Sequence, residues 1–227
     1  IKDASALENM RKVNALVIDK TGTLTIPNPN IDFTKADNMP FEEREQLKPN
    51  AAKAMARLKE EGIDVVMMSG DKEAAAHYWA VKAGIVNYKS EVRPDDKQRL
   101  VSQLQQEGKI VAMVGDGIND TQALATADVG IAIGRGTDVA MDVAQVTLMG
   151  NDLMALPEAV NMSRRSVRMI WQNLFWAFIY NLVCIPLAAG ALYLFGINFQ
   201  ITPMWASALM AFSSVSVVLN SLRLKWL

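Results

Sequence analysis

The chain has 227 residues, with 23 basic against 24 acidic side chains and a formal net charge of −1. That length admits one or two domains, and the even charge balance excludes the basic footprint of a nucleic-acid binder, so no nucleic-acid partner is expected. The single cysteine excludes an intramolecular disulfide and any Cys-pair metal site within this sequence.

Residues 1–12 read as a linker carrying a short amphipathic helix over 3–11. No secretory signal pattern is visible, and Ile1-Lys2-Asp3 opens as a fragment would. The apolar run 13–18 reads as a buried strand that ends at Asp19. A carboxylate there sits at the carboxyl edge of a sheet, where open α/β folds place their chemistry. The Thr and Gly residues after it allow a sharp turn and offer N–H and hydroxyl groups to an anion. Such an aspartate can take a phosphoryl group as an aspartyl phosphate. On its own, a lone Asp-x-Thr reads as a strand-end residue capping a turn.

Residues 26–47 read as irregular, broken by Pro27 and Pro29 and poor in apolar positions. From 48 to 150 strands and helices alternate. Helices are expected at 49–61, 72–83 and 94–107, each closed by a glycine, Gly62, Gly84 or Gly108. Strands are expected at 63–68, 109–114, 129–133 and 146–149. This alternation predicts an α/β fold with a parallel sheet covered on both faces.

Further motifs fall at strand ends. In Ser69-Gly70-Asp71 the hydroxyl suits a phosphoryl oxygen, although alone the tripeptide is an ordinary helix N-cap. Lys97, in Pro94-Asp95-Asp96-Lys97, would alone be a solvated surface lysine. Gly115-Asp116-Gly117-Ile118-Asn119-Asp120 gathers two carboxylates and an amide, hard oxygen donors that suit Mg²⁺.

Asp19-Lys20-Thr21-Gly22-Thr23-Leu24-Thr25 resembles the phosphorylation signature of P-type ATPases, ion pumps built on a haloacid-dehalogenase-like domain, and the other motifs follow in that family's order. The resemblance implies a Rossmannoid parallel sheet over 13–25 and 48–150. It implies that Asp19 attacks the γ-phosphate of ATP and that Lys97 neutralises the charge. Mg²⁺ would sit on Asp19, the Thr21 carbonyl and Asp116, with Asn119 and Asp120 orienting phosphate and metal. Ser69, where the family usually has Thr, would bond the phosphoryl group, and Thr21, Gly70 and Asp71 would bind the cofactor. Phosphatases of the superfamily carry a second Asp two residues after the nucleophile. Thr21 stands there instead, so the phosphoenzyme should hydrolyse slowly. In the family a nucleotide-binding domain follows the signature, and an actuator domain acts through Thr-Gly-Glu. Residues 26–47 are about twenty, too few for a domain, and no Thr-Gly-Glu occurs. Removal of that domain, a naturally reduced relative and a gap closed by the numbering all fit.

No charged residue lies between Arg168 and Arg223, which is too long for a soluble core element. An amphipathic linker helix at 151–172 carries Arg164, Arg165 and Arg168, a basic face that suits either lipid headgroups or solvent. Apolar spans at 174–195 and 201–222, each about 22 residues, can cross a bilayer core of ~30 Å. The short link 196–200 makes 173–227 a transmembrane hairpin. Basic residues flank its outer ends, which places those ends and the catalytic domain in the cytoplasm. Trp171, Trp176 and Trp205 suit the interfaces. Tyr180 and Asn181 in the first span, and Met210, Ser213 and Ser214 in the second, are either packing glue or functional. They resemble the signatures of the copper(I) subgroup of heavy-metal pumps, which implies Cu⁺ ligation, and a thioether suits that soft ion. The charged residue expected of zinc and cobalt subgroups is absent from the last span, and so is that family's Cys-Pro-Cys. Cys184 reads as a packing residue and His77 as a helix-surface residue.

The resemblance thus implies part of an ATP-driven Cu⁺ transporter in a bacterial cell membrane, an integral multi-pass protein. Its partners would be Cu⁺, ATP, membrane lipid and the remaining domains and helices of the pump, and this stretch alone should not pump. The rival readings are a membrane-anchored phosphatase and a non-catalytic regulatory or assembly partner of a full pump.

Overall fold

The computed structural model describes residues 1–30, 39–134, 138–189 and 203–223. The chain divides into two compact units, Ile1–Ser163 and Arg164–Leu227.

The first unit is built on a six-stranded parallel sheet. In chain order its strands are β1 (Ala15–Asp19), β4 (Asp64–Met68), β5 (Asn87–Lys89), β6 (Val111–Gly115), β7 (Val129–Ile133) and β8 (Val146–Leu148), and the spatial order is β5-β4-β1-β6-β7-β8. All five residues of β1, β6 and β7 are buried, as expected of parallel strands covered on both faces. Alternate side chains enter opposite cores. Leu16 and Ile18 pack with Met10, Leu58 and Trp79, whereas Ala15 and Val17 pack with Leu100 and Met113. The chain leaves β1 toward β4 and β5, then crosses back to β6 and continues to β7 and β8. The order therefore reverses between β1 and β6, and α/β folds open their crevice at the carboxyl ends of such a pair. The register Ile18↔Val114 sets the end of β1 beside the end of β6.

The helices are α1 (Ala4–Met10), α3 (Ala51–Glu60), α4 (Glu73–Ala83), α5 (Pro94–Gln106), α6 (Thr121–Thr126) and α7 (Asp138–Val143). Asp3 caps α1, accepting from the Ala6 N–H at 2.6 Å. Two features depart from expectation. Residues 26–47 are not wholly irregular: β2 (Thr25–Pro27) pairs antiparallel with β3 (Glu45–Leu47), and α2 (Phe41–Arg44) leads into β3. Three-residue strands are too short to show a period, and Pro27 stands at the outer end of its strand, where a lost N–H matters little. Residues 31–38 lie outside the described residues. The edge strand β5 was also not foreseen, for the same reason of length.

Helix α8 (Ala155–Ala188) is continuous, so the expected linker helix and the first span form one element. Its stretch Ala155–Leu187 is long and apolar enough to cross a membrane, with mean hydropathy 1.3. Helix α9 (Pro203–Leu222) contributes a shorter apolar stretch, Ser207–Leu222. One long and one shorter apolar helix fit a hairpin. The link 196–200 and Lys225 lie outside the described residues. Within the second unit, Asn173 Nδ2 donates to Ser221 Oγ at 2.9 Å and Asn173 Oδ1 accepts from Asn220 Nδ2 at 2.8 Å, tying α8 to α9. The large apolar side chains of this unit, Phe175, Trp176, Phe178 and Phe212 among them, are exposed, as lipid-facing residues would be.

Candidate active site

β1 delivers Asp19 to the carboxyl edge, and Lys20–Leu24 then turn in one wide helical loop. Gly22 occupies φ +73°, and a Cβ there would stand 1.9 Å from Asp116 Oδ2. Glycine is thus needed for both conformation and space. β6 delivers Gly115, where a Cβ would meet Asp120 Oδ2 at 2.5 Å. The two carboxylates fold back over backbone that has no side chain to refuse them.

Lys97 comes from the first turn of α5, which begins at Pro94 and is boxed by the Arg93 N–H donating to Asp96 at 3.2 Å. Its ammonium lies 2.6 Å from Asp19 Oδ1 and 2.7 Å from Asp120 Oδ1. It is 7 % exposed, Asp19 6 % and Asp120 2 %, so this lysine is not the solvated surface residue its composition alone would suggest. Carboxylate oxygens of Asp19, Asp116 and Asp120 all lie within 4.8 Å of one another.

The electrostatics follow from crowding. Burial, then the Asp120 carboxylate, pushes Asp19 up to about 6, against the pull of Lys97. Burial likewise raises Asp116, and Asp120 adds to it. For Lys97 burial works against the charge, but Asp19 and Asp120 outweigh it and hold the ammonium above its ordinary value. Three carboxylates against one bridging lysine leave an excess of negative charge on hard oxygen donors. That donor set fits Mg²⁺.

Ser69 is fully buried at the end of β4, and its Oγ accepts from the Asp71 N–H at 3.1 Å. This is a local side-chain turn and not a helix N-cap, because α4 starts only at Glu73 and its N-cap residue is Lys72, with no side-chain cap bond. A Cβ on Gly70 would meet only Val92 O at 3.7 Å, an ordinary contact, so the fold itself does not demand glycine there. Asp71 forms an ion pair with Lys20 at 2.6 Å. Asn119 is exposed in the short turn Ile118–Asp120, and Thr21 is exposed beside Gly22. Three residues here were not anticipated. Lys20, 2 % exposed, bridges Asp71 and, at 2.5 Å, Glu45 of β3. Lys48, immediately after β3, is 4 % exposed and interacts electrostatically with Asp116. Thr23 Oγ1 is buried without a hydrogen-bond partner. Lys20 and Thr23 lie inside the signature, so their position was the available signal. Lys48 carried none. A cavity of about 530 Å³ beside these groups is lined by Lys20, Phe41, Arg44, Glu45, Asp71 and Lys72, among others.

The residues expected to hold Cu⁺ are divided between α8 and α9. Tyr180 lines a cavity of about 290 Å³ with Asn173, Trp176, Ser216, Val217 and Asn220. Asn181 and Met210 are exposed, Ser214 donates to the Met210 carbonyl at 3.2 Å, and the Ser213 carbonyl accepts from Ser216 at 2.8 Å. His77 is exposed as expected, its ring Nδ1 3.1 Å from Tyr88 Oη. Cys184 is half-buried and free.

Residues 30–128 match the haloacid dehalogenase-like hydrolase family. The copper-exporting P-type ATPase of Bacillus subtilis is 52 % identical over 179 residues, which cover 79 % of this chain and 21 % of that protein. The copper-exporting P-type ATPase of Legionella pneumophila is 36 % identical over 327 positions, covering 99 % of this chain and 44 % of that protein. Those 327 positions exceed the 227 residues here, so about 100 positions of the relative have no counterpart in this sequence. The chain spans less than half the length of each of these relatives. Among solved structures, a zinc-transporting PIB-type ATPase in its E2.Pi state superposes with a TM-score of 0.79 at 24 % identity, covering 97 % of this chain and 51 % of that one. That likeness shows the fold.

Proposed function

We propose that this chain, homologous over most of its length to copper-transporting P-type ATPases, supplies the phosphorylation domain and two membrane helices of an ATP-driven Cu⁺ transporter. The observation that carries the reading is Lys97 bridging Asp19 and Asp120, with Asp116 close by. Asp19 Oδ attacks the terminal phosphorus of ATP. An Asp19–phosphorus bond forms, the bond from that phosphorus to the bridging oxygen breaks, and ADP leaves with the electron pair. Lys97 holds the nucleophile in place and offsets charge on the transferred group, while Asp120 orients Lys97. Asp19, Asp116 and the Thr21 carbonyl hold Mg²⁺, which supplies further neutralisation. Ser69 and the Gly70 N–H face the phosphoryl oxygens, and Thr23 offers them or the metal shell its unpartnered hydroxyl. No carboxylate stands at Thr21 to activate water, so the aspartyl phosphate persists long enough to drive a conformational change.

Residues 13–25 and 48–150 form the phosphorylation domain, and 26–47 mark where the nucleotide-binding domain belongs. Tyr180, Asn181, Met210, Ser213 and Ser214 join the Cu⁺ path only together with further helices. The copper-exporting names of the relatives support the ion, and the apolar α8 supports a membrane setting.

The test is Mg²⁺-dependent labelling of the purified chain with acetyl phosphate, a small donor that bypasses the nucleotide domain. The expected result is a stable, hydroxylamine-sensitive label that is absent in Asp19→Asn. Rapid release of phosphate without label would establish the phosphatase reading instead. No reaction in a folded chain would leave only the regulatory role.

A further inference from the structure

The buried ammonium of Lys20 joins three stretches of chain. It lies 2.6 Å from Asp71 Oδ2 and 2.5 Å from Glu45 Oε2. The main chain of Lys20 is held as well. The Thr25 N–H donates to its carbonyl, and Thr25 Oγ1 lies 3.2 Å from that carbonyl and 3.3 Å from Glu45 Oε2. Asp71 in turn donates its N–H to Ser69 Oγ. One side chain thus ties the turn after Asp19 to the Ser69–Asp71 stretch and to β3.

Asp71 alone would balance the charge of Lys20. Glu45 adds a second carboxylate beside a site that has to receive a negatively charged phosphoryl group, so charge balance does not call for it. What Glu45 contributes is direction. An ammonium gripped by two carboxylates from different elements is fixed in a way that one partner does not fix it. The grip reaches Asp19 and Thr21 directly, because they are the chain neighbours of Lys20. Glu45 belongs to the return arm, which also sets Phe41 edge-on against Tyr78 of α4 with ring centroids 5.6 Å apart. The cavity of about 530 Å³ is lined by this arm and by the start of α4. On that side the arm is joined to the Asp19 turn by a charge bridge and not by close packing.

We infer that Glu45 is a positioning residue for phosphorylation: through Lys20 it fixes the turn that carries Asp19, so the seating of the β2–β3 arm sets how fast Asp19 takes a phosphoryl group. This rests on the reading of Asp19 as the phosphoryl acceptor. Glu45 touches neither donor nor metal, and its effect falls on the rate of transfer rather than on binding.

The test is rapid-quench labelling of the full chain in detergent with acetyl phosphate at saturating Mg²⁺, each rate being expressed per folded molecule from a melting curve. The expected result for Glu45→Gln is a maximal rate about 10- to 100-fold lower, the order that a displacement of about 1 Å costs a positioned nucleophile. The acetyl phosphate concentration giving half the maximal rate stays within about two-fold of the parent, because no contact to the donor is lost. Glu45→Asp keeps the charge and recovers to within about five-fold of the parent. In a Lys20→Met background, Glu45→Gln changes the rate by less than about two-fold, since it acts through that lysine. Should Lys20→Met fail to fold, the comparison of Glu45→Gln with Glu45→Asp decides. An unchanged rate per folded molecule in Glu45→Gln, a loss confined to the half-saturating concentration, or the full loss repeated in the Lys20→Met background would overturn the inference. A parent that takes the label while Glu45→Gln takes it as fast removes the positioning role and keeps the proposed function. A parent that takes no label removes both.

Discussion

The sheet unit and the helical unit treat their polar residues in opposite ways. In the first, Asp19, Lys97, Asp116 and Asp120 come from separate parts of the chain and meet within hydrogen-bond reach or within 4.8 Å. In the second, Tyr180, Asn181, Met210, Ser213 and Ser214 lie on two helices, and only Tyr180 lines the cavity between them. A parallel sheet closes its own core, so the ends of β1 and β6 are fixed by register before any ligand arrives. An apolar helix satisfies its backbone within itself, so forming it does not by itself bring polar side chains together. The site on strand ends is gathered within one unit, whereas under the proposed function the ion path would draw on further helices.

The sharpest way to break this contrast is Lys97→Met. It strands two buried carboxylates, and a loss of about 3–5 kcal/mol in denaturant unfolding is expected, together with at least ~100-fold less acetyl-phosphate labelling. Next comes pH. Asp19 titrates near 3.8 when unfolded and about 6 when folded, so the native state binds the extra proton between those values. Its contribution to stability is therefore present below about pH 4 and lost as pH rises toward 6. In EDTA, Asp19→Asn should gain on the parent across that window by on the order of 2–3 kcal/mol and stay level above it. Melting curves at stepped pH read this directly, and a flat difference would remove the buried-cluster account.

Gly22→Ala should cost about 1–3 kcal/mol through its positive φ and weaken Mg²⁺ binding at least tenfold by displacing Asp116. Gly70→Ala, with ordinary room, should change stability by less than about 1 kcal/mol. The smallest effect belongs to the hairpin. Asn173→Leu removes both ties to α9 and should cost about 0.6–2 kcal/mol in detergent unfolding of the helices, while Asp19 labelling stays unchanged. A labelling defect there would mean that the two units are not separable.

How far the sequence was legible divides along similar lines. The apolar run before Asp19 announced β1, and glycines closed α4 and α5 where helices stop. Lys97 and Asp120, far apart in sequence, lie 2.7 Å apart in the fold. What escaped was short or non-local. β2 and β3 have three residues each, and they pair across a separation in sequence too long for a local pattern to mark. The burial of Lys48 leaves no local trace, because it depends on parts of the chain far from it in sequence. In the hairpin, the length of the uncharged apolar runs announced the helices but not their facing residues, since a helix apolar all round has no contrasting polar face to read.

The most direct test of the central claim, that Asp19 is the phosphoryl acceptor, is to map the modified residue. After acetyl-phosphate labelling with Mg²⁺, borohydride reduction converts an aspartyl phosphate to homoserine, and peptide mass spectrometry locates it. The account predicts homoserine at position 19, absent without Mg²⁺ and absent in Lys97→Met. Homoserine at Asp116 or Asp120, or a label that survives in Asp19→Asn, would contradict it.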